Sequence, residues 1–541
     1  MKTKLSFLFL FIISFKLNAQ QINNGPDLDN DRDMKMNRMI PCDENTFYAY
    51  RVKTKGKGTS YFIEKYDKAS LKAVFTKEVD MEEDRYTKVE DVKYAMNNVR
   101  IFIRQYNKKE EKMGIYYRTI SSEGIVSPKM QELFSVKTDH YEYIDFDVFT
   151  NTSSTKFIIK ASYKANEKDS YKTKFVFYDA STMKKTLEKS FNQMLYSPLE
   201  RLSLNGGYNA GEGDLEGLIV DDEDNIYYGY SYMTTHSTKD DMHFMLAIYS
   251  FKAADNIPLR VEAQFGNDYY VNDIIIKKVS ANELAVAGFY RDLVPHRGKE
   301  LVKAGIFNMS IDLSTNKLKS KQLKPFDDKL LEMLNLRGKD DVTRWYRFKL
   351  DYMLPTDGGQ YLIGEEYNAQ PNEDFNPDTH TTTVFWTYKY RDVIVAKLNT
   401  NGEFEWVDNV PLRLNVELNF PLVYMQYIAY ATSKAVYILA DEDPKNEKIM
   451  AKKTYDADDV HEIFEIPGSN FACTSFSSAD GKMEHKTISS NDKYSFGPLL
   501  EKHLQFMPSP TSQLFISGKD KEIIIHTENK GKDRFSKITF D

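Results

Sequence analysis

The sequence predicts an all-β fold, an eight-bladed β-propeller of four-stranded antiparallel blades, from three observations. One hairpin pattern recurs eight times: an apolar strand, a short turn of Asp, Asn, Ser, Gly or Lys, and a second strand rich in Tyr, Phe, Ile and Val. A second hairpin follows most of these units. Its outer strand carries more charge, as an edge that faces water requires.

The eight first hairpins follow one another along the chain at spacings of about 50 to 85 residues, which allows for loop insertions. A β-sandwich also contains many short strands, but similar four-stranded units repeated along a chain favour a ring. A seven-bladed ring stays open as the alternative, because the seventh unit is interrupted between residues 448 and 467. The first hairpins lie at residues 39–50, 92–104, 144–161, 217–230, 274–289, 350–364, 427–439 and 514–526.

The last unit supplies three strands, so the ring needs a fourth from elsewhere. Gln21 to Asn24 are predicted to add that strand and to close the ring. In an eight-bladed ring Cys42 and Cys473 then lie on non-neighbouring blades. We therefore expect two free, buried thiols rather than a disulfide.

One short helix is predicted between the fifth and sixth blades. It runs from Asp327 to Leu336, with Leu330, Leu331 and Leu334 on one side and Gly338 just past its end. A helix with one apolar side is expected to pack on the rim of the ring.

Residues 1–20 are predicted to be a secretory signal peptide. Lys2 and Lys4 precede an apolar run, and Ala19 marks a plausible cleavage site. Residues 21–541 then form a single β-propeller domain. No later apolar run reaches the roughly 20 residues of a membrane helix, so a membrane-spanning protein is not expected.

Charge and motifs exclude several functional classes. The net charge is −7, and acidic and basic residues are interspersed, so the sequence shows no basic patch of the kind that binds nucleic acid. The acidic run 27–33 resembles a calcium loop, but Arg32 and Arg38 stand where that loop needs Gly and a bidentate carboxylate. No zinc-protease, nucleophile-elbow or phosphate-loop motif occurs, so we expect no metal, no cofactor and no catalytic residues. The alternative is a glycan-binding or glycoside-hydrolase-type propeller, because a ring can bring acids from different blades together.

The segment from Asn368 to Tyr390 is the predicted place for recognition of a partner. Aromatic side chains on a polar segment give a large contact area at low entropic cost. Alternatively, Trp386 to Tyr390 simply extend the following strand and pack on the next blade. The candidate binding residues are Phe375, His380, Phe385, Trp386 and Tyr388.

Five stretches resemble a family of poorly characterised exported proteins of Bacteroidota. They are residues 18–20, 357–367 and 390–398, the helix at Asp327, and residues 533–540, and the resemblance covers about residues 323–541. The resemblance implies a β-rich fold and a place in the cell envelope, and it carries no catalytic residues.

Exported propellers of these bacteria can be cargo of type IX secretion, which requires a C-terminal sorting domain. The last blade is expected to run to the final residue, which favours the periplasm, with the extracellular space as the alternative. The expected partner is another envelope or outer-membrane protein. The expected role is a non-catalytic interaction scaffold, such as the plug of the type IX secretion translocon.

Overall fold

Eight antiparallel sheets follow one another along the chain, and each is one blade of an eight-bladed β-propeller. The eight-bladed prediction is confirmed, and the seven-bladed alternative is wrong. The computed structural model describes residues 21–29, 34–55, 58–82, 87–137, 144–164, 171–191, 214–234, 243–255, 257–265, 269–292, 303–334, 347–376, 381–418, 427–450, 452, 455–463, 470–489, 495–496, 515–517, 521–529 and 532–540.

The first four blades each contain four strands in chain order. Blade 1 contains β3 (Met34–Pro41), β4 (Thr46–Lys55), β5 (Gly58–Asp67) and β6 (Ala73–Val79). Blade 2 contains β7 (Lys88–Ala95), β8 (Asn98–Asn107), β9 (Lys112–Ser121) and β10 (Gln131–Lys137). Blade 3 contains β11 (Ile144–Thr150), β12 (Lys156–Lys164), β13 (Tyr171–Asp179) and β14 (Lys185–Phe191). Blade 4 contains β15 (Asp214–Val220), β16 (Ile226–Thr234), β17 (His243–Phe251) and β18 (Leu259–Gln264).

The last four blades include the two that depart from the simple pattern. Blade 5 contains β19 (Tyr269–Ser280), β20 (Glu283–Asp292), β21 (Ala304–Asp312) and β22 (Lys317–Pro325). Blade 6 contains β23 (Arg347–Thr356), β24 (Gly359–Asn376), β25 (Thr381–Leu398), β26 (Phe404–Val410) and the additional β27 (Leu414–Leu418). Blade 7 contains β28 (Tyr427–Ala431), β29 (Ala435–Glu442), β30 (Asn470–Ser477) and β31 (Met483–Ser489). Blade 8 contains β32 (Ser495–Phe496), β33 (Phe515–Ser517), β34 (Glu522–Asn529) and β35 (Lys532–Thr539), with β1 (Gln21–Asn24) and β2 (Leu28–Asp29).

The hydrophobic core is divided among the interfaces between blades. Eight clusters of buried apolar residues each join two neighbouring blades, including the pair formed by blades 8 and 1. Strand β29 shows why each blade contributes to two clusters: successive side chains of a strand point to opposite faces. Val436 and Ile438 join the cluster shared with blade 6, whereas Tyr437 and Leu439 join the cluster shared with blade 8. Each blade therefore needs both neighbours to bury its two faces.

The predicted closure of the ring is confirmed. Gln21 to Asn24 pair with β35, where Gln21 lies opposite Thr539 and Asn24 opposite Ser536. Next along the chain, the Gly25 amide donates to Phe535 O at 2.8 Å. A Cβ atom at Gly25 would stand 2.7 Å from Leu71 Cβ, so only glycine fits this approach to blade 1 without displacement.

A buried network of charges lies beside this closure, between blades 8 and 1. Arg51 Nε donates to Glu64 Oε2 at 2.6 Å, and its Nη1 donates to Asp533 Oδ2 at 2.5 Å. His526 Nε2 lies 2.8 Å from the same Asp533 oxygen, and the Tyr66 hydroxyl donates to Glu64 at 2.6 Å. The first and last blades are thus joined by ion pairs as well as by a strand.

The predicted helix is present but shorter than expected. Helix α1 (Asp328–Met333) begins after Asp327, whose side chain accepts from Leu330 N at 2.8 Å. It ends at the C-cap Leu334, and Gly338 lies outside the described residues. Leu330, Leu331 and Leu334 are buried in the cluster between blades 5 and 6, so the helix covers the rim of that interface as predicted.

Blade 7 carries further short turns of helix that the sequence did not predict. They lie between β29 and β30, and Asp443 caps the first of them by accepting from Lys445 N at 2.8 Å. These turns are the 3₁₀ segments Pro444–Asn446 and Ala457–Asp459 and the α-helical turn α2 (Glu447–Met450). Among the described residues, no helix has the length and apolar character that crossing a membrane demands.

Both cysteines have free thiols, as the ring predicts. Cys473 is buried, but Cys42 is only half-buried, so the expectation of two buried thiols is wrong for Cys42. Cys42 directly follows strand β3, at the turn that leads to β4, and a turn covers less of a side chain than the interior of a blade does.

A candidate interaction platform on blade 6

Blade 6 differs from the other blades because its second and third strands are 18 residues long each. Strand β23 pairs with β24 only as far as Tyr367, and β26 pairs with β25 only from Val393 onward. Residues 368–376 and 381–390 therefore continue as a hairpin past the rest of the blade, for about 30 Å at the rise of a β-strand. The segment predicted as a polar insertion is a β-hairpin.

A third strand widens this extension. Strand β27 pairs with β25 from Leu414 opposite Tyr390 to Leu418 opposite Trp386. Residues 368–376, 381–390 and Leu414–Leu418 are called the platform below. The alternative that Trp386 to Tyr390 extend the following strand is confirmed for the backbone, since these residues lie within β25.

The register gives the platform one aromatic and apolar face. Residues directly opposite each other in an antiparallel sheet share a face, and every second residue of a strand returns to it. Tyr390 of β25 shares its face with Tyr367 and Leu414. The other positions of this face hold Tyr388, Trp386, Val384 and Thr382 on β25, Ala369, Pro371, Glu373 and Phe375 on β24, and Val416 and Leu418 on β27.

The opposite face of the platform holds polar residues at nearly every position. Phe385 is the apolar exception, and it lies opposite Asn372. Asn372 Nδ2 donates to Thr387 Oγ1 at 2.7 Å, which links the two strands on this face. The remaining positions are Asn368, Gln370, Asp374 and Asn376 on β24, Thr381, Thr383 and Lys389 on β25, and Asn415 and Glu417 on β27.

The register thus divides the candidate binding residues. Trp386 and Tyr388 lie on the apolar face, in line with Tyr390, and Phe375 lies on the same face of β24. Phe385 lies on the polar face, so it is not grouped with the others. His380 lies outside the described residues.

The base of the platform is packed firmly. The rings of Tyr367 and Tyr390 stack with their centroids 6.4 Å apart, and Tyr390 is buried. Blade 7 supports the third strand, because Ile463 N donates to Arg413 O at 2.9 Å and Asn415 N donates to Ile463 O at 3.0 Å. The platform is therefore anchored to two blades.

Charged residues are buried where the platform leaves the blade. A β-bulge places Arg391 and Asp392 opposite the single residue Glu366. Glu365, Glu366 and Asp392 each have 0% of their surface exposed. The sequence offered only one signal for this cluster, the charged pairs 365–366 and 391–392 at the ends of apolar runs, and such pairs usually face solvent.

Hydrogen bonds and an arginine hold the carboxylate of Asp392 in this cluster. Its Oδ2 accepts from Asn409 Nδ2 and from the Tyr455 hydroxyl, both at 2.8 Å. Its Oδ1 lies 3.5 Å from Arg413 Nε. Burial raises the pKa of Asp392, although Arg413 and these hydrogen bonds oppose the change.

Glu366 has the most unusual environment of the cluster. Burial raises the pKa of Glu366 to about 7, while the positive charges of Arg391, Arg291 and Arg413 oppose the change. Neither carboxyl oxygen has a hydrogen-bond donor among the residues that the structure describes. A raised carboxyl pKa can mark a general acid, but carboxyl groups without exposed surface contact no substrate in this conformation.

Metal binding receives no support from the described residues. Among them, no group of three or more His, Cys, Asp or Glu side chains is arranged to hold a metal ion. The turn at residues 221–224, which also contains several acids, connects β15 to β16. There Asp221 accepts from Lys278 Nζ at 2.6 Å and Asp222 accepts from Ser153 N at 2.8 Å, so these acids join neighbouring blades.

The fold and this platform define an eight-bladed β-propeller with an extended, two-faced hairpin on one blade. No protein-family model matches the chain, and no curated protein matches it. A europium-containing methanol dehydrogenase is similar in structure, with 11% identity, a TM-score of 0.35, and coverage of 93% of this chain and 84% of that one.

Two further solved structures show similarity of the same order. The β-propeller domain of the trilobed protease from Pyrococcus furiosus has 11% identity and a TM-score of 0.31, over 84% of this chain and 96% of that one. The WD40 domain of SCAP from fission yeast has 8% identity and a TM-score of 0.31, over 78% of this chain and 95% of that one. At such values these similarities carry no argument about function.

Proposed function

We propose that this protein is a non-catalytic β-propeller scaffold of the cell envelope, and that it binds another envelope or outer-membrane protein through the apolar face of the platform. The observation that carries the proposal is the register of β24, β25 and β27, which gathers Trp386, Tyr388 and Tyr390 on one face. Aromatic residues dominate the energetic centres of protein interfaces.

The location in the envelope is part of the proposal. It rests on the leader-like residues 1–20 and on the resemblance of residues 323–541 to exported proteins of Bacteroidota. Periplasmic outer-membrane machinery, such as the translocon of type IX secretion with its plug, is the class of partner that this location favours.

The test is affinity purification from envelope extracts followed by mass spectrometry, with two variants of the same strand. The double variant Trp386→Ser and Tyr388→Ser changes the apolar face, and we expect it to lose the partner that the wild type captures. The matched control, Thr387→Ser and Lys389→Ser, changes the polar face between the same positions and should retain it. Equal recovery by both variants would contradict the proposed surface.

A glycan is the second candidate ligand. The aromatic positions 386 and 388 lie about 6.6 Å apart along the strand and offer two neighbouring stacking surfaces. Glycan binding therefore predicts that the same double variant loses retention on immobilised envelope polysaccharide and keeps its protein partners. A hydrolase is less well supported, because the carboxyl groups of Glu365, Glu366 and Asp392 are fully buried.

A further inference from the structure

We propose that Glu366 is a proton-dependent latch at the base of the platform: the base stays closed while the carboxyl group is protonated and loosens when the group ionises. This inference concerns how the platform is attached. It stands whether or not the platform binds the proposed partner.

The position of Glu366 makes it suited to this role. It lies at the β-bulge that separates the platform from the body of blade 6, opposite Arg391 and Asp392. As far as Tyr367, one residue past Glu366, β24 is held by β23, and from Asn368 onward it pairs with β25 alone among the described residues. A change at the bulge therefore acts on both long strands of the platform and leaves the four-stranded ladder of the blade intact.

Charged groups from three elements face Glu366. Strand β25 contributes Arg391 and Asp392, strand β20 of blade 5 contributes Arg291, and the turn before β27 contributes Arg413. Glu365 is its buried neighbour on β24. The arginines favour the ionised form of Glu366, whereas Asp392 favours the protonated form. The protonation state of Glu366 therefore depends on which of these effects is larger.

Burial decides the balance. Glu366 has no exposed surface, and within the described part of the chain no donor bonds to its carboxyl oxygens. An ionised carboxylate in such a place is costly, whereas a neutral one is tolerated. Burial is the largest cause that raises the pKa of Glu366 to about 7. The charge of Asp392 adds to this increase, and the charges of the arginines oppose it.

The direction of the pH effect follows from linkage. In an opened base Glu366 would meet water and titrate near its ordinary pKa of 4.5, whereas in the closed base it titrates near 7. The closed form is therefore favoured fully below about 4.5. The equilibrium constant for closing the base falls about tenfold per pH unit as the pH rises to about 7, and it is constant above that pH.

Hydrogen exchange across pH tests the latch. The amides of residues 368–376 and 381–390 are compared with those of β12 and β13 in blade 3, after correction for the intrinsic exchange rate. In the wild type we expect the protection of the platform to fall more than about tenfold between pH 5 and pH 7 and then to level off. Blade 3 should show no such change.

Three variants separate the latch from a general effect of pH. Glu366→Gln should keep the platform protected at every pH, and the exposed control Glu78→Gln should behave as the wild type does. Asp392→Asn removes a repelling charge, so its plateau should begin at a lower pH, and this shift decides the matter if Glu366→Gln fails to fold. A pH-independent wild type, an unshifted Asp392→Asn, or an unchanged transition in folded Glu366→Gln would overturn the proposal.

Discussion

The closure of the ring gives a prediction whose size follows from the contacts at blades 8 and 1. Arg51 is fully buried and donates to both Glu64 and Asp533. Removing one member of a buried ion network typically costs about 3–5 kcal/mol, because its partners keep their charge without compensation. Tyr66 and His526 remain as partners of the two acids, so we expect Arg51→Met to cost about 3 kcal/mol, the lower end of that range.

The assay is urea denaturation, with the midpoint compared at an unchanged slope. The control is Lys482→Met, which removes an ion pair with Glu484 whose side chains are 70% and 57% exposed. Such a pair is worth less than about 1 kcal/mol. If Arg51→Met shifts the midpoint no more than Lys482→Met does, the buried network does not stabilise the closure and this reasoning is refuted.

Three further predictions concern other parts of the ring. A protonated Glu366 stabilises the folded state fully below pH 4.5, and this contribution of about 3 kcal/mol is lost as the pH rises to about 7. The denaturation midpoint of Glu366→Gln should therefore vary less with pH over that window than the midpoint of the wild type, and parallel profiles would refute this. Burial raises the pKa of the Cys473 thiol to about 12, so a thiol reagent should label half-buried Cys42 first and Cys473 only on unfolding; early labelling of Cys473 in native protein would count against the buried site. Asp327→Ala removes the cap of α1 and should cost about 1 kcal/mol in the same urea assay, and an unchanged midpoint would show that the cap contributes nothing.

Sequence reasoning located the blades because each strand alternates between two apolar interfaces. It also identified Gln21 to Asn24 as the closing strand, since the last unit lacked one. The helix after Asp327 followed from its cap and its leucines. The blades and the helix are local patterns, which are visible without coordinates, and the closing strand followed from the number of strands in the last unit.

The platform could not be predicted in the same way. Pro371 and the polar residues around it weaken the strand signal in β24, so the segment reads as an insertion. Its two faces depend on a register that includes the bulge at Glu366, and one extra residue on a strand exchanges the faces beyond it. Phe385 was grouped with Trp386 because an insertion shows no strand alternation, whereas adjacent residues of β25 lie on opposite faces.

The buried charges escaped prediction for a different reason. Glu366 follows an apolar run and Asp392 precedes one, and at such places a charged residue ordinarily marks the point at which a strand reaches water. Here blade 5 supplies Arg291 and blade 7 supplies Tyr455, so the acids are enclosed by elements distant in sequence. Only the assembled ring brings these groups together.

The most direct test of the interaction surface is site-specific photocrosslinking in intact envelopes. A photoreactive amino acid is placed in turn at positions 386, 387, 388 and 389 of β25. We predict a crosslinked partner from positions 386 and 388 and none from 387 and 389, because alternate positions lie on opposite faces. Equal crosslinking from all four positions, or crosslinking from 387 and 389 alone, would contradict the apolar face as the binding surface.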